Sequence, residues 1–166
     1  MNTHHATFHL RVLLPKNRNH TGWLRLEKGG KPVAEYRCLG RGSRGGGDTS
    51  MLEKGNTPTG LYNGSQLVNT QAWSRRSYGR WGAVRLKPIG GNALTAQQIF
   101  GRNGLLIHGG AAGSKKYWRG KGALRATHGC LRLSNQDMKK LMGHLLAGSI
   151  GQHSCQEVSI LVSVAE

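Results

Sequence analysis

The chain carries 24 lysines and arginines against seven aspartates and glutamates in 166 residues, a formal net charge of +17. This length suits one domain with a sizeable core and leaves little room for an accessory module. The charge indicates an anionic partner, which could be nucleic acid, a membrane surface or an acidic polymer. No apolar run approaches the ~20 residues of a membrane-spanning helix.

The first half of the chain reads as β-strands joined by turns, and the 26 glycines favour a loop-rich β protein over a helical bundle. Residues 7–14 predict a first strand. Residues 23–26 and 33–39 flank a Gly-Gly pair and predict a hairpin, because paired glycines accommodate a tight turn. After a loop, residues 61–67 predict another short strand.

Residues 73–81 mix three arginines with tryptophan and tyrosine, and the segment has two interpretations. Its aromatic rings would stack on the bases of a single-stranded nucleic acid. The interpretation that we favour is a solvated loop whose rings pack over the sheet.

The second half of the chain predicts two short helices among further strands. Residues 84–86 predict a strand, and a Thr-x-x-Gln motif at Thr95 predicts a capping box that opens a helix through Phe100. Residues 105–107 are apolar and predict a buried strand that carries His108 at its end.

The second predicted helix follows a Ser-x-x-Asp cap that begins at Ser134. Its apolar stripe has helical spacing and is interpreted as core rather than as a ligand set. The stripe consists of Met138, Leu141, Met142, Leu145 and Leu146. Residues 158–164 alternate and predict a closing strand, so the fold class is mainly β with two short helices.

One loop brings together a thiol, an imidazole and a glycine, and a second imidazole precedes it. The loop reads Thr127-His128-Gly129-Cys130-Leu131-Arg132, and the upstream stretch reads Ile107-His108-Gly109-Gly110. A thiol with a pKa of ~8.5 is mostly un-ionised near neutrality, and a neighbouring imidazole lowers that pKa. Because Gly129 has no side chain, the amides of Gly129 and Cys130 would point at an oxyanion. The pattern predicts a cysteine acyl-transfer site.

These residues resemble the L,D-transpeptidase catalytic domain family, the YkuD type. Its signature is a histidine followed at a fixed distance by Ser/Thr-His-Gly-Cys, a hydrophobic residue and arginine or asparagine, and here His108 precedes Cys130 by 22 positions. Residues 56–60, Asn-Thr-Pro-Thr-Gly, resemble a second family motif. The resemblance implies an L,D-transpeptidase-like β-sandwich or barrel. It divides the chain into residues 1–22, an N-terminal segment with a first strand, and the catalytic domain, residues 23–166.

The resemblance also implies roles for the motif residues. Cys130 would be the nucleophile rather than an inert core thiol. His108 would be the general base, its ring oriented by a backbone carbonyl, rather than a structural histidine. His128 would support the thiolate or the oxyanion, Thr127 would hold the loop by local bonds, and Arg132 would pair with a substrate carboxylate or brace the loop.

The segment between the two histidine motifs carries the other candidate binding residues. Gly109 and Gly110 would let substrate backbone approach closely. Residues 111–126 place lysines and arginines around aromatic rings, and either they are simply exposed or they bind substrate carboxylates. The candidates are Lys115, Tyr117 and Arg125.

The implied reaction is covalent catalysis in two steps. Cys130 attacks the carbonyl at the L-centre of diaminopimelate in a peptidoglycan tetrapeptide stem, and D-alanine leaves. Water then gives L,D-carboxypeptidase activity, a free D-amino acid gives exchange, and a second stem gives a 3-3 cross-link. No cofactor is implied, and a zinc site of His108, His128 and Cys130 would lack a fourth ligand.

Two other function classes compete with this interpretation. In papain-like cell-wall peptidases the cysteine usually precedes the histidine, whereas here His108 comes first. A nucleic-acid-binding module would explain the charge but not the Thr-His-Gly-Cys loop, so nucleic acid is not favoured as partner. Of the other cysteines, Cys38 and Cys155 either form a bridge or, as we favour, remain two buried free thiols.

The N-terminus does not predict a secretory signal, because its apolar stretch is interrupted by His9 and Arg11 and lacks a small-residue cleavage site. We therefore expect an antibacterial effector that reaches the periplasm or cell wall of a target cell by non-Sec delivery, such as type VI secretion. Its partners would be peptidoglycan stem peptides and a secretion apparatus or immunity protein, with no membrane partner. The alternatives are a housekeeping L,D-transpeptidase or a phage enzyme.

Overall fold

The computed structural model describes residues 7–45, 47–110, 124–147 and 157–166. The strands are β1 Phe8–Leu14, β2 Gly22–Lys28, β3 Lys31–Cys38, β4 Gly60–Asn63, β5 Leu67–Val68, β6 Ala83–Arg85, β7 Lys87–Gly90, β8 Leu106–His108, β9 Leu131–Arg132 and β10 Val158–Val164. The helices are α1 Arg75–Tyr78, α2 Gly91–Phe100 and α3 Asn135–Ala147.

The strands form two sheets, which confirms the mainly β class. The larger sheet has six strands in the order β3-β2-β1-β10-β4-β7. β1 lies inside it, parallel to β10 and antiparallel to β2. The strand of the N-terminal segment is therefore integral to this sheet. The smaller sheet has the order β5-β6-β8-β9, and its last two strands are parallel neighbours.

One hydrophobic core joins both sheets to α3. Leu10 and Ile160 of the larger sheet and Ile107 and Leu131 of the smaller sheet all have fully buried side chains in it. The predicted stripe of α3 is confirmed for Met138, Leu141, Met142 and Leu145. Its last member was predicted wrongly, because the Leu146 side chain is 48% exposed.

The single strand predicted over residues 61–67 is wrong, because the chain changes sheets inside it. The side-chain oxygen of Asn63 accepts from the Ser65 N–H at 3.0 Å. This local turn ends β4 in the larger sheet, and β5 then begins in the smaller one. β7 was not predicted, since it contains Pro88, but an edge strand tolerates a missing N–H.

The described residues contain three helices, where the sequence predicted two. The additional helix, α1, begins after Ser74, whose side chain accepts from the Ser77 N–H. For α3 the predicted cap is confirmed, because the Asp137 N–H donates to Ser134 Oγ at 3.0 Å. None of these helices is both long enough and apolar enough to cross a bilayer.

The capping box predicted at Thr95 is wrong, because α2 already begins at Gly91. The Ala93 N–H donates to the Thr59 carbonyl at 2.7 Å. This tertiary bond holds the first turn of α2 against the Thr-Pro-Thr-Gly turn and replaces a side-chain cap. The end of the helix agrees with the prediction, since Gly101 follows it in the left-handed conformation.

Candidate active site

The parallel strands β8 and β9 place the predicted cysteine and histidine on one face of the smaller sheet. Ile107 lies opposite Leu131, and His108 lies opposite Arg132. Side chains alternate along a strand. The two paired apolar side chains therefore enter the core, and His108 and Cys130 line a cavity of about 800 Å³ on the other side.

His108 is buried, and its ring is oriented by a backbone carbonyl. Nδ1 lies 2.6 Å from the Gly109 carbonyl oxygen. Because a carbonyl can only accept, Nδ1 carries the hydrogen, and Nε2 keeps the lone pair of the neutral ring. Burial lowers the pKa of His108 to about 4, the hydrogen bond to Gly109 raises it and the charge of Arg132 lowers it. The ring is therefore neutral at pH 7, and its Nε2 can accept a proton.

Tyr78 packs against this histidine, with the two ring centroids 5.0 Å apart. Trp73 in turn meets Tyr78 edge to face at 5.0 Å. The aromatic segment of residues 73–81 therefore contacts the site, which neither interpretation of it predicted, and it contains α1 where the favoured interpretation expected a loop. Trp73 and Trp81 each remain 37% exposed.

The Cys130 thiol is half-buried, and its Sγ accepts from the Leu106 N–H at 3.3 Å. Burial raises the pKa of this thiol, whereas the Leu106 N–H and the charges of Arg132 and Arg102 lower it in part. The sequence suggested that a neighbouring imidazole favours the thiolate, but the cations acting on this thiol are arginines. The side chain of His128 is exposed and lines the cavity.

Thr127 makes local hydrogen bonds of the predicted kind. Its Oγ1 donates to the Cys130 carbonyl at 2.9 Å and accepts from the Gly129 N–H at 3.0 Å. The Gly129 amide is thus engaged within the loop, which differs from the expectation that it faces an oxyanion. Within the described ranges, no acceptor meets the Cys130 N–H.

Gly129 is required by the packing of this loop. Its φ of 118° lies in a region that L side chains rarely adopt. An added Cβ would lie 2.0 Å from Arg102 Nη2 and 3.0 Å from the Gly55 carbonyl oxygen. On the other side, Thr57 Oγ1 donates to the Gly129 carbonyl at 2.7 Å. The cysteine loop is therefore pressed against the Thr-Pro-Thr-Gly turn.

Arg102 joins these two motifs, and the sequence did not single it out. Its buried guanidinium donates to the carbonyls of Asn56 at 2.7 Å, Gly55 at 3.1 Å and His128 at 3.2 Å. A lone arginine after a helix gives no sequence signal for such a role. Only the neighbouring Asn-Thr-Pro-Thr-Gly motif pointed to this part of the molecule.

We expect Arg102→Ala to lower the free energy of unfolding by about 2–4 kcal/mol, because buried carbonyls lose a charged donor. Urea denaturation measures this change. Arg102→Lys keeps the charge but not the planar fork, so it should restore only part of the loss. An unchanged urea midpoint for Arg102→Ala would contradict the assignment of Arg102 as the joint between the two motifs.

Arg132 is buried beneath the cavity that it lines. Its Nη1 donates to the carbonyls of Gly109 at 2.8 Å and Ser77 at 3.3 Å. These bonds tie Arg132 to the end of the His108 strand and to α1, so its two expected roles, partner of a substrate carboxylate and brace of the cysteine loop, both stay predictions. The Gly110 N–H donates to Asn135 Oδ1 at 2.8 Å. The Gly109 carbonyl and the Gly110 N–H are therefore both hydrogen-bonded within the protein.

The other predicted binding residues are only partly described. Arg125 is exposed and lines the cavity, whereas Lys115 and Tyr117 lie outside the described residues. Arg76 and Asn103 also line the cavity, although no sequence motif assigned either residue to the site.

Cys38 is a free thiol in the core, and burial raises its pKa to about 12. Cys155 lies outside the described residues. In the part of the chain that the structure describes, no group of three or more His, Cys, Asp or Glu side chains is arranged to hold a metal ion.

Two solved structures to which this chain is similar are L,D-transpeptidases. One from Mycobacterium smegmatis is 12% identical, has a TM-score of 0.50, and covers 95% of this chain and 59% of that protein. L,D-transpeptidase 1 of Mycobacterium tuberculosis is 12% identical with a TM-score of 0.48, covering 96% of this chain and 63% of that protein. This chain thus spans about three fifths of the length of these proteins.

A comparison with curated proteins finds no match. The family model of the L,D-transpeptidase catalytic domain, YkuD, matches residues 13–160. This match includes both motifs and most of the 166 residues. The chain therefore belongs to the L,D-transpeptidase catalytic domain family.

Proposed function

We propose that this domain is a cysteine-dependent enzyme of peptidoglycan tetrapeptide stems. The observation that carries the proposal is the placement of the neutral His108 at the end of β8 and of Cys130 directly before the parallel strand β9, both lining one cavity. Membership of the family supports the substrate class. The cavity is also lined by Arg76, Arg125 and Arg132, which suits a stem that carries carboxylates.

The first step would transfer the thiol proton of Cys130 to Nε2 of His108 while the sulfur attacks the carbonyl at the L-centre of diaminopimelate. Burial raises the pKa of the thiol and lowers that of the imidazole. A resting thiolate–imidazolium pair is therefore disfavoured, so proton transfer accompanies the attack. His108 then returns the proton to the leaving amine of D-alanine, and an acyl-enzyme remains.

The Cys130 N–H would stabilise the oxyanion of this step. It sits on the same residue as the nucleophile and meets no acceptor among the described residues, whereas the Gly129 N–H already donates to Thr127. The acyl-enzyme is resolved by water, by a free D-amino acid or by an amine of a second stem. The first two outcomes are the activities that we propose, and the third would be 3-3 cross-linking.

Product analysis tests the proposal. The purified protein is incubated with a disaccharide tetrapeptide, with and without a free D-amino acid, and the products are weighed by mass spectrometry. A tripeptide, an exchanged tetrapeptide and a cross-linked dimer have different masses, so each outcome is identified directly. A folded protein that gives none of these products would contradict the proposal.

We further propose that the activity serves an antibacterial effector, because a charge of +17 suits a protein that must stay on an anionic wall. Expression in a Gram-negative host with a fused periplasmic signal should cause swelling or lysis, and expression without the signal should not. Cys130→Ala should relieve the toxicity. Equal toxicity in the cytoplasm would point to nucleic acid instead.

A further inference from the structure

A second, smaller cavity lies beside the catalytic one and is strongly basic. It has a volume of about 380 Å³ and is lined by Gln71, Arg75, Arg80 and Trp81. We call these four residues, with Lys139 of α3, the basic groove. Its three cationic side chains are exposed.

Trp81 holds two of the cations of the basic groove in place. Lys139 Nζ lies 4.6 Å from the centroid of the Trp81 ring, and the guanidinium carbon of Arg80 lies 5.9 Å from it. Such contacts restrict long, flexible side chains before any ligand arrives. Binding of a ligand here therefore costs less of the protein's side-chain entropy than binding to scattered surface lysines does.

Within the described ranges, the cations of the basic groove form no ion pair with a carboxylate. The ion pairs of the described residues, Arg11 with Glu27 and Arg25 with Glu35, both lie on the larger sheet. No carboxylate lies within ion-pair distance of Arg75, Arg80 or Lys139 among the described residues. The groove is therefore free to bind an anionic ligand.

The basic groove and the catalytic cavity both border α1. Arg75 lines the groove, and the next residue, Arg76, lines the catalytic cavity. The carbonyl of Ser77 accepts from Arg132 beneath the same cavity. A polymer that binds at both Cys130 and the groove would therefore cross α1 between them.

We propose that the basic groove is an exosite that binds carboxylates of the peptidoglycan polymer outside the reacting stem. The inference rests on the proposed function, since it takes the wall as the substrate. Single-stranded nucleic acid fits less well, because base stacking needs an open ring face and the Lys139 ammonium lies over the Trp81 ring. The exosite would raise affinity for the intact wall without entering the chemistry.

Retention on sacculi tests the exosite, with Cys130→Ala as the background so that no turnover occurs. Arg75→Gln with Arg80→Gln should weaken binding to sedimented sacculi about tenfold at low salt, since two charge contacts are lost. The matched control removes two exposed charges from the edge strands of the larger sheet, with Lys31→Gln and Lys87→Gln. It should change binding by less than about twofold.

The same two pairs in the active chain separate the exosite from the proposed function. Turnover of a soluble disaccharide tetrapeptide should be the same in the groove variant as in the unaltered chain. An equal loss of sacculus binding in both pairs, or no loss in the groove pair, would overturn the exosite. If the groove variant loses affinity for single-stranded DNA but not for sacculi, the groove binds nucleic acid and the exosite is also overturned. No turnover by the unaltered chain would instead count against the proposed function.

Discussion

Replacing Cys130 with alanine is expected to lower the turnover of tetrapeptide muropeptides by ~10⁴-fold or more, because the acyl-enzyme cannot form without the sulfur. The fold should survive, since the thiol is half-buried and makes a single hydrogen bond with the Leu106 N–H. Mass spectrometry of the released D-alanine and of the shortened stem measures the loss. Circular dichroism and the urea midpoint show that the variant is folded.

Cys38→Ala is the matched control for this experiment. Cys38 also lacks a disulfide, but it lies wholly within the core, and its raised pKa of about 12 makes it a poor nucleophile. This variant should keep its turnover and lose about 1–2 kcal/mol of stability from the cavity left behind. If Cys130→Ala were active and Cys38→Ala inactive, the nucleophile would have been assigned to the wrong residue.

The strands that carry the site could be predicted because their patterns are local. Residues 105–107 form an unbroken apolar run, and the structure confirms that this strand is buried and ends at His108. The strand over residues 158–164 and the helix cap at Ser134 could be predicted for the same reason. In each case the signal lies within one element and matches its period.

The contacts that hold the site together could not be predicted, because they join residues far apart in the chain. Arg102 reaches the carbonyls of Gly55 and His128, 47 and 26 positions away. Tyr78 packs on His108 from a segment whose pattern did not separate a base-stacking surface from a packed loop. Neither propensity nor periodicity reports on such tertiary contacts.

The start of α2 shows how a tertiary bond overrides a local motif. The Thr-x-x-Gln pattern at Thr95 is a legitimate capping signal, yet the helix begins at Gly91, because the Thr59 carbonyl accepts from the Ala93 N–H. The burial of the Cys130 thiol is a similar case. It raises the pKa of the thiol, but it results from tertiary packing, which no local sequence pattern reports.

Replacing His108 is expected to lower turnover by ~10²–10⁴-fold, because the thiol loses its general base. His108→Asn is the more specific test, since its amide can still donate to the Gly109 carbonyl but has no basic nitrogen at the position of Nε2. If His108→Asn is as inactive as His108→Ala, the ring acts as a base. If His108→Asn keeps activity, the residue acts by position alone.

His128→Ala is the control for the second imidazole of the motif. His128 is exposed and bonds to Arg102 through its backbone carbonyl, which alanine retains. We therefore expect a loss of less than about tenfold, well below that of His108→Ala. The reverse ranking would exchange the roles of the two histidines.

The pH dependence gives an independent test of His108. To act as the base, His108 must be neutral, and its pKa is lowered to about 4. We therefore expect kcat/KM to stay level from pH 7 to about pH 5 and to fall when the pH is below about 4. With an imidazole of the ordinary pKa of ~6.5, activity would begin to fall about 2.5 pH units higher. A midpoint of the acid limb near 6.5 would therefore contradict a buried, neutral His108 as the base.

The same shift makes folding stability depend on pH. In the unfolded chain His108 binds a proton below pH ~6.5, whereas in the folded chain it binds one only below about 4. Between these values the unfolded state holds more protons, so the free energy of unfolding falls as the pH falls. His108→Asn has no ring to titrate and should lose this part of the slope between pH 6.5 and 4 in urea denaturation. An identical slope in the variant and the unaltered chain would mean that His108 is not buried as a neutral ring.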